Sequence, residues 1–330
     1  MKKVLPYLLL LLCAVPALQA QVSASHLGSF DNRKVHLGIQ VGYTQSKFDL
    51  HYSWNDTLRQ TIIGTSSYYS PGFHINAIGE LRLSDHLGLR FLPGITLISR
   101  DMSYRWSKEY TSTHWKYDEQ RTVESVYWET PLELKYRANR YNNFRPYLTA
   151  GVSWGFDFAS LWKNQNNNDE SIIRLNLNDL RFIPSLSFID RSVVYNDNLG
   201  LEYHQNTNPK NNVAGAVYMD LPLMVKLKSS RIMNNIRAYV LAGAQYSLDL
   251  TSIAKKRQNN VGYVLRLYPH DFQGIAGVGF DFYCTYFKFA AELKMAFGFV
   301  DLKVNDDDYY SQSADYLISR TFMLSFTFES

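Results

Sequence analysis

Two histidines stand near acids where the sequence loses its regular pattern: His114 with Asp118, and His204 further on. A hydrolase needs a nucleophile or paired acids within hydrogen-bond reach of a base. No serine motif adjoins either histidine, so both read as solvated loop residues. Asp306-Asp307-Asp308 reads as an exposed acidic loop, because no EF-hand-like run, Cys/His cluster or HExxH accompanies it. Of the two cysteines, Cys13 lies in the first twenty residues and Cys284 stands alone, which leaves no intrachain disulfide framework. The expectation is a non-enzymatic chain with no catalytic, cofactor or metal site.

The remaining chemistry is ionic. Glu80, Arg82, Arg90, Glu129, Glu133, Lys135, Arg137, Arg181, Asp220, Lys226, Lys228, Asp281, Glu292 and Lys294 are charges of both signs, each embedded in a strongly apolar stretch. Their spacing explains how that is tolerated. SVYWETPLELKYR sets Val126, Trp128, Leu132, Leu134 and Tyr136 against Glu129, Glu133, Lys135 and Arg137. FKFAAELKMAFGF sets Phe287, Phe289, Ala291, Leu293, Met295, Phe297 and Phe299 against Lys288, Glu292, Lys294 and Gly298. Side chains on a strand point alternately to opposite faces, so each stretch is a strand with one apolar and one polar face.

The start of the chain says where such strands belong. MKKVLPYLLLLLCAVPALQAQ has a basic start at Lys2 and Lys3, then an apolar run from Val4 to Val15. Residues 1–20 read as an export signal, with cleavage after Ala20 or Ala17. Residues 21–34 follow as a periplasmic segment. The net charge of +4 is far from that of a nucleic-acid binder, and no nucleic acid is expected as a partner. Aromatic residues make up 15% of the chain, led by 24 Tyr, yet no later stretch approaches the ~20 apolar residues of a membrane helix. Alternating strands with a bulky apolar face solve this. Closed into a barrel, they leave no backbone group unpaired in lipid, and the charged face lines the interior. The expectation is an all-β, antiparallel, up-and-down transmembrane barrel over residues 35–330, in the outer membrane with its lipids as partners.

Strands are expected at about 35–48, 72–84, 87–104, 125–137, 145–159, 180–195, 215–228, 236–251, 271–284, 287–300 and 317–329. Eleven breaks the rule of even number, short periplasmic turns and longer outer loops. Adding SIIRLNL, residues 171–177, with Asn178-Asp179 as a hairpin turn, brings the total to twelve. Long loops then fall near 54–71, 107–124, 161–170, 196–214, 253–268 and 301–316. The same addition organises an internal repeat. FRPYLTAGVSWGFDF is echoed by IRAYVLAGAQYSLDL, LRFLP by LRFIP, and VYWETPLELK by VYMDLPLMVK. A four-strand block at 72–159 therefore reads as repeated at 171–252.

Five ordered stretches carry a family resemblance: DNRKVHLGIQ, SPGFHINAIGELRLSDHLGLRFLPGITL, VYWETPLELKYRANRYNNFRPYLTAG, HDFQGIAGVGFDFYCTYFKFAAELKMAFG and LISRTFMLSFTFE. Together they resemble the PorT-type outer-membrane barrels of Bacteroidota. The resemblance implies a part in type IX protein secretion, as an assembly or docking component that meets other components of that system. It supplies no catalytic residues. The usual barrel of such families has about eight strands, and the second copy of the block departs from it. Two further readings compete: a general outer-membrane channel, for which the interior charges would line a narrow conduit, and a surface-interaction protein outside secretion.

Overall fold

The computed structural model describes residues 27–28, 30–53, 62–110, 113–157, 188–196, 200–205, 217–232, 235–250, 267–305 and 312–330. The export-signal and SIIRLNL stretches lie outside them. A 3-10 turn, Phe30–Asn32, precedes the first strand. The strands are β1 (Val35–Tyr52), β2 (Ile62–Tyr68), β3 (Ser70–Arg82), β4 (Leu87–Phe91), β5 (Gly94–Tyr110), β6 (Thr113–Glu129), β7 (Leu132–Arg137) and β8 (Phe144–Asp157). They continue as β9 (Phe188–Asn196), β10 (Gly200–Gln205), β11 (Val217–Ser229), β12 (Ile236–Asp249), β13 (His270–Tyr283), β14 (Lys288–Gly298) and β15 (Ala314–Glu329).

All pairings are antiparallel, and β1 closes the ring by pairing with β15 on one side and β3 on the other. Two staves of the barrel are each built from two strands. β3 pairs with β4 along Gly79–Arg82 and with β5 along Phe73–Asn76, the break falling at Leu92-Pro93. The neighbouring stave, β6 followed by β7, breaks at Thr130-Pro131. A proline has no N–H for the ladder, so strands interrupt there. The two breaks lie side by side, and Leu92 N–H donates to the Pro131 carbonyl at 3.0 Å.

The closed barrel therefore has ten staves, with β2, β9 and β10 outside it. This corrects the expected twelve. β8 pairs directly with β11, from Val217 opposite Phe156 to Ser229 opposite Phe144, so their facing backbone groups leave no room for two intervening strands. Of the expected strand at 180–195, residues 188–195 fall in β9, which pairs with Trp115–Val123 on the outer part of β6. Parity is satisfied by removing a strand as well as by adding one, and the β8–β11 ladder decides for removal. The expected loop at 107–124 is largely strand: β5 and β6 pair without interruption from Gly94 opposite Glu129 to Tyr110 opposite Thr113. The loops expected at 54–71 and 196–214 likewise contain β2 and β10. The two segments with kindred sequences, β8 and β12, flank β11 on either side.

The alternation sorts the faces. Leu37, Ile39, Phe73, Ile75, Leu132, Leu134, Trp154, Leu223, Val225 and Phe280 are exposed large apolar side chains on the outside. Phe282, Phe289, Phe326 and Phe328 form an aromatic group on the same face, with ring centroids 5.2–6.0 Å apart. Inside, β1 contributes His36, Gln40, Thr44 and Ser46, all buried. Beyond Ser46 the pattern inverts: Phe48 turns inward and is buried, while His51 is exposed. Phe48, Ile62, Met102, Tyr104, Leu302 and Leu317 make a small core at the outer end of the barrel. Below this level apolar side chains face lipid; above it they turn from water, as in a soluble sheet.

Leu293, opposite Val278 and Leu324, sits mid-strand on the lipid face, whereas Phe289 lies near the periplasmic end of β14. Leu293→Arg is expected to destabilise the barrel by about 2–4 kcal/mol, and Phe289→Arg by clearly less, because the penalty falls towards the interface. Urea titration in lipid vesicles checks the order. Equal losses would contradict this placement of the bilayer.

Candidate functional site

The interior charges meet as chords across the lumen, linking strands that are not neighbours. Lys135 of β7 reaches Glu80 of β3 at 2.7 Å, past β4. Lys226 of β11 reaches Glu292 of β14 at 2.8 Å, past β12 and β13, and Lys294 adds a second bridge to Glu292 at 3.1 Å. Lys228 reaches Asp281 of β13 at 2.7 Å. Arg90 of β4 reaches Glu329 of β15 at 3.2 Å, and Lys288 binds the other oxygen of the same carboxylate. Asp281, 2% exposed, is the deepest of these acids.

Two tyrosines fill the space between the chords. Tyr239 and Tyr147 are both buried inside the barrel. The ammonium of Lys226 stands 4.3 Å from the Tyr239 ring centroid, and that of Lys228 lies 5.2 Å from Tyr239 and 5.6 Å from Tyr147. A cation over an aromatic face gains electrostatically, more so when both are desolvated. Gly279 makes room for this arrangement: a Cβ there would lie 2.4 Å from the Tyr239 ring and hydroxyl.

Of the expected interior charges, Glu80, Arg90, Lys135, Lys226, Lys228, Asp281, Glu292 and Lys294 thus meet in the periplasmic half of the lumen. Glu133 stands opposite Arg90 across the β4–β7 ladder. Glu129 and Asp220 lie further out, where Glu129 hydrogen-bonds Thr96 and Asp220 hydrogen-bonds Ser247 and Gln245. Arg82 and Arg137 stand at the periplasmic rim: Arg82 pairs with Asp85, and Arg137 donates to the Asp85 carbonyl at 2.6 and 2.9 Å. Arg181 lies outside the described residues.

Four charges absent from the expected set complete the site: Lys288, Glu329, Arg237 and Asp31. The first three were accessible from strand parity, since Glu329 alternates with Phe328, Lys288 with Phe289, and Arg237 with Ile236 and Ala238. Asp31 was not, because it lies outside any strand. Arg237 Nη1 binds the Asp31 carboxylate at 2.7 Å and donates to the Tyr283 hydroxyl at 2.8 Å. Burial by itself would raise the Asp31 carboxyl, but Arg237, with Lys228 and Lys288 behind it, outweighs burial and holds it at about 2.

His114 and His204 do not converge. His204 of β10 pairs with Ser192 of β9, which pairs with Glu119 of β6. It is thus two strands across and five residues along from His114, roughly 17 Å in the strand direction. Cys284 is a free, half-buried thiol after β13. Among the described residues no group of three or more His, Cys, Asp or Glu gathers to hold a metal.

Residues 19–199 and 170–304 each match the family model described as an outer membrane protein beta-barrel domain. No curated protein matches the chain. Among solved structures, the outer membrane protease OmpT from Escherichia coli aligns with TM-score 0.44 and 10% identity, over 89% of this chain and 95% of that one. The translocator domain of the autotransporter NalP from Neisseria meningitidis aligns with TM-score 0.34 and 9% identity, over 90% and 88%. Ail, the attachment invasion locus protein of Yersinia pestis, aligns with TM-score 0.23 and 10% identity, over 90% and 100%.

Two outcomes follow from the charge layer. Asp281→Ala leaves Lys228 buried without its carboxylate, and removing one partner of a buried pair is expected to lower stability by about 3–5 kcal/mol in urea titration. A loss below about 1 kcal/mol, the range of surface pairs, would contradict the burial. The second outcome concerns pH. Because the folded value of Asp31 lies below its ordinary 3.8, its contribution is fully present above about pH 4 and disappears as pH falls towards about 2. Hydrogen exchange of residues 27–34, corrected for intrinsic rates, should stay slow down to about pH 4 and accelerate below it. Asp31→Asn should exchange fast throughout.

Proposed function

Because the chain belongs to the outer membrane protein beta-barrel domain family, we propose that it is a non-enzymatic, occluded barrel of the PorT type, supporting type IX protein secretion as an assembly or docking component. The protein resides in the outer membrane. The observation that carries the proposal is the chorded lumen. Lys226–Glu292, Lys228–Asp281, Arg90–Glu329 and Lys135–Glu80 span the periplasmic half of the interior, with Tyr147 and Tyr239 packed beside Lys226 and Lys228. An eight-strand barrel has an interior just wide enough for its side chains, and ten staves widen it only modestly. Large charged and aromatic side chains fill that gain, which favours an anchor over a conduit. The secretion role rests on the resemblance of the five stretches quoted above, and its expected partners are other components of that system.

A second reading, a surface-interaction protein outside secretion, is favoured by the outer extension. The outer parts of β5 and β6 continue past the lipid-facing band and carry β2, β9 and β10 with them.

Deleting the gene is expected to remove proteins with C-terminal sorting domains from the secreted fraction, measured by comparing secretomes. Unchanged export with altered solute permeability or surface adhesion would replace the secretion reading. In planar bilayers the purified protein should show no steady conductance. Stable open steps would overturn the occluded lumen.

A further inference from the structure

The short segment before β1 is held in the periplasmic mouth largely by contacts outside the barrel's ladders. Its two consecutive turns are closed by Phe30 N–H donating to the Leu27 carbonyl and Arg33 N–H to the Phe30 carbonyl. Among the described residues, its backbone bond to the sheet is at the tether, where Arg82 N–H donates to the Lys34 carbonyl at 2.8 Å. Phe30 and Asp31 are held by side chains around the mouth. Phe30, 4% exposed, packs on His36 at 4.4 Å and Tyr283 at 6.0 Å between ring centroids, with the Lys288 ammonium 5.1 Å from its ring. The Asp31 carboxylate takes the Arg237 guanidinium. Three more guanidinium groups hold the backbone and Asn32: Arg137 donates to Asp31 O at 3.0 Å, Arg231 to Leu27 O at 2.8 Å, and Arg82 to Asp31 O and Asn32 Oδ1, each at 3.4 Å.

These are the elements by which a protein recognises a peptide: an aromatic slot, a cation for one carboxylate, and guanidinium donors for the main chain. The seat is built mostly on strands of the wall, with Arg231 in the turn after β11, whereas the occupant continues into the barrel through Arg33-Lys34. We propose that the periplasmic mouth is a peptide-binding site for an aromatic–aspartate pair, filled in cis by Phe30-Asp31 and open to the same pair on a periplasmic polypeptide. The inference does not rest on a role in secretion. A tethered occupant competes at millimolar effective concentration, so a partner must bind tightly or attach at a second point to displace it. The mouth then reports a partner's arrival by releasing the segment before β1.

The test uses the full chain in nanodiscs and a fluorescent peptide, LGSFDNRK, copied from residues 27–34. Weakening the cis occupant by the double substitution Phe30→Ala and Asp31→Ala should improve peptide binding about tenfold or more over wild type, since it removes the intramolecular competitor. A peptide with alanines at the Phe-Asp pair should lose that gain, as should adding Arg237→Ala to the double variant. Folding of each variant is checked by the heat-dependent shift of the barrel on gels. A folded double variant that binds the peptide no better than wild type, or binds a scrambled peptide equally, overturns the proposal. Either result is independent of the secretome comparison.

Discussion

Every strand in this protein answers to one requirement: a backbone that crosses lipid must find all its hydrogen bonds within the sheet. β1 meets it at the closure. It pairs with β15 from Gly38 opposite Glu329 to Tyr52 opposite Ala314, and with β3 from Val35 opposite Leu81 to Ser46 opposite Ser70. Once that ring is closed, the position of each residue in the alternation decides whether it meets lipid or lumen. Shifting any strand by one residue would place charges such as Glu292 and Lys294 in hydrocarbon. The same requirement fixes the stave number, because the β8–β11 ladder keeps one register from Phe144 opposite Ser229 to Phe156 opposite Val217, interrupted at Leu221-Pro222, and admits nothing between.

Closure creates the second problem, an interior too narrow to hydrate many charges freely. The solution is mutual neutralisation by chords, with tyrosines filling the gaps and glycines such as Gly279 yielding space. Replacing such a network by apolar side chains would be neutral or even stabilising in many folds. Here it does something an apolar core would not: it gives the two faces of each strand opposite solubility, which specifies which face meets lipid.

Beyond the outer lipid boundary the requirement relaxes and the polarity inverts. Phe48, Met102, Tyr104 and Leu317 point inward there, continuing the strands whose inner faces lower down carry Ser46, Thr96 and Ser325. The periplasmic end is treated differently. Among the described residues no buried apolar cluster of that kind closes it, and Phe30 with Asp31 occupies it instead.

Read alone, the sequence determined what depends on neighbouring residues: the ten strands that became staves, which of their faces is apolar, and the inward direction of the expected charges that fall among the described residues. Period-two alternation is written locally and survives without knowledge of any partner. The sequence could not decide which strand lies beside which. The stretch at 180–195 alternates like a stave, yet its described part, β9, pairs with the outer half of β6, and β8 goes to β11. Nor could it match Lys226 with Glu292 rather than with another acid, or bring Asp31 to Arg237 across 206 positions. Those choices belong to the tertiary structure, because a charge on a strand carries its direction but not its distance across the lumen, and only the closed ring sets that distance.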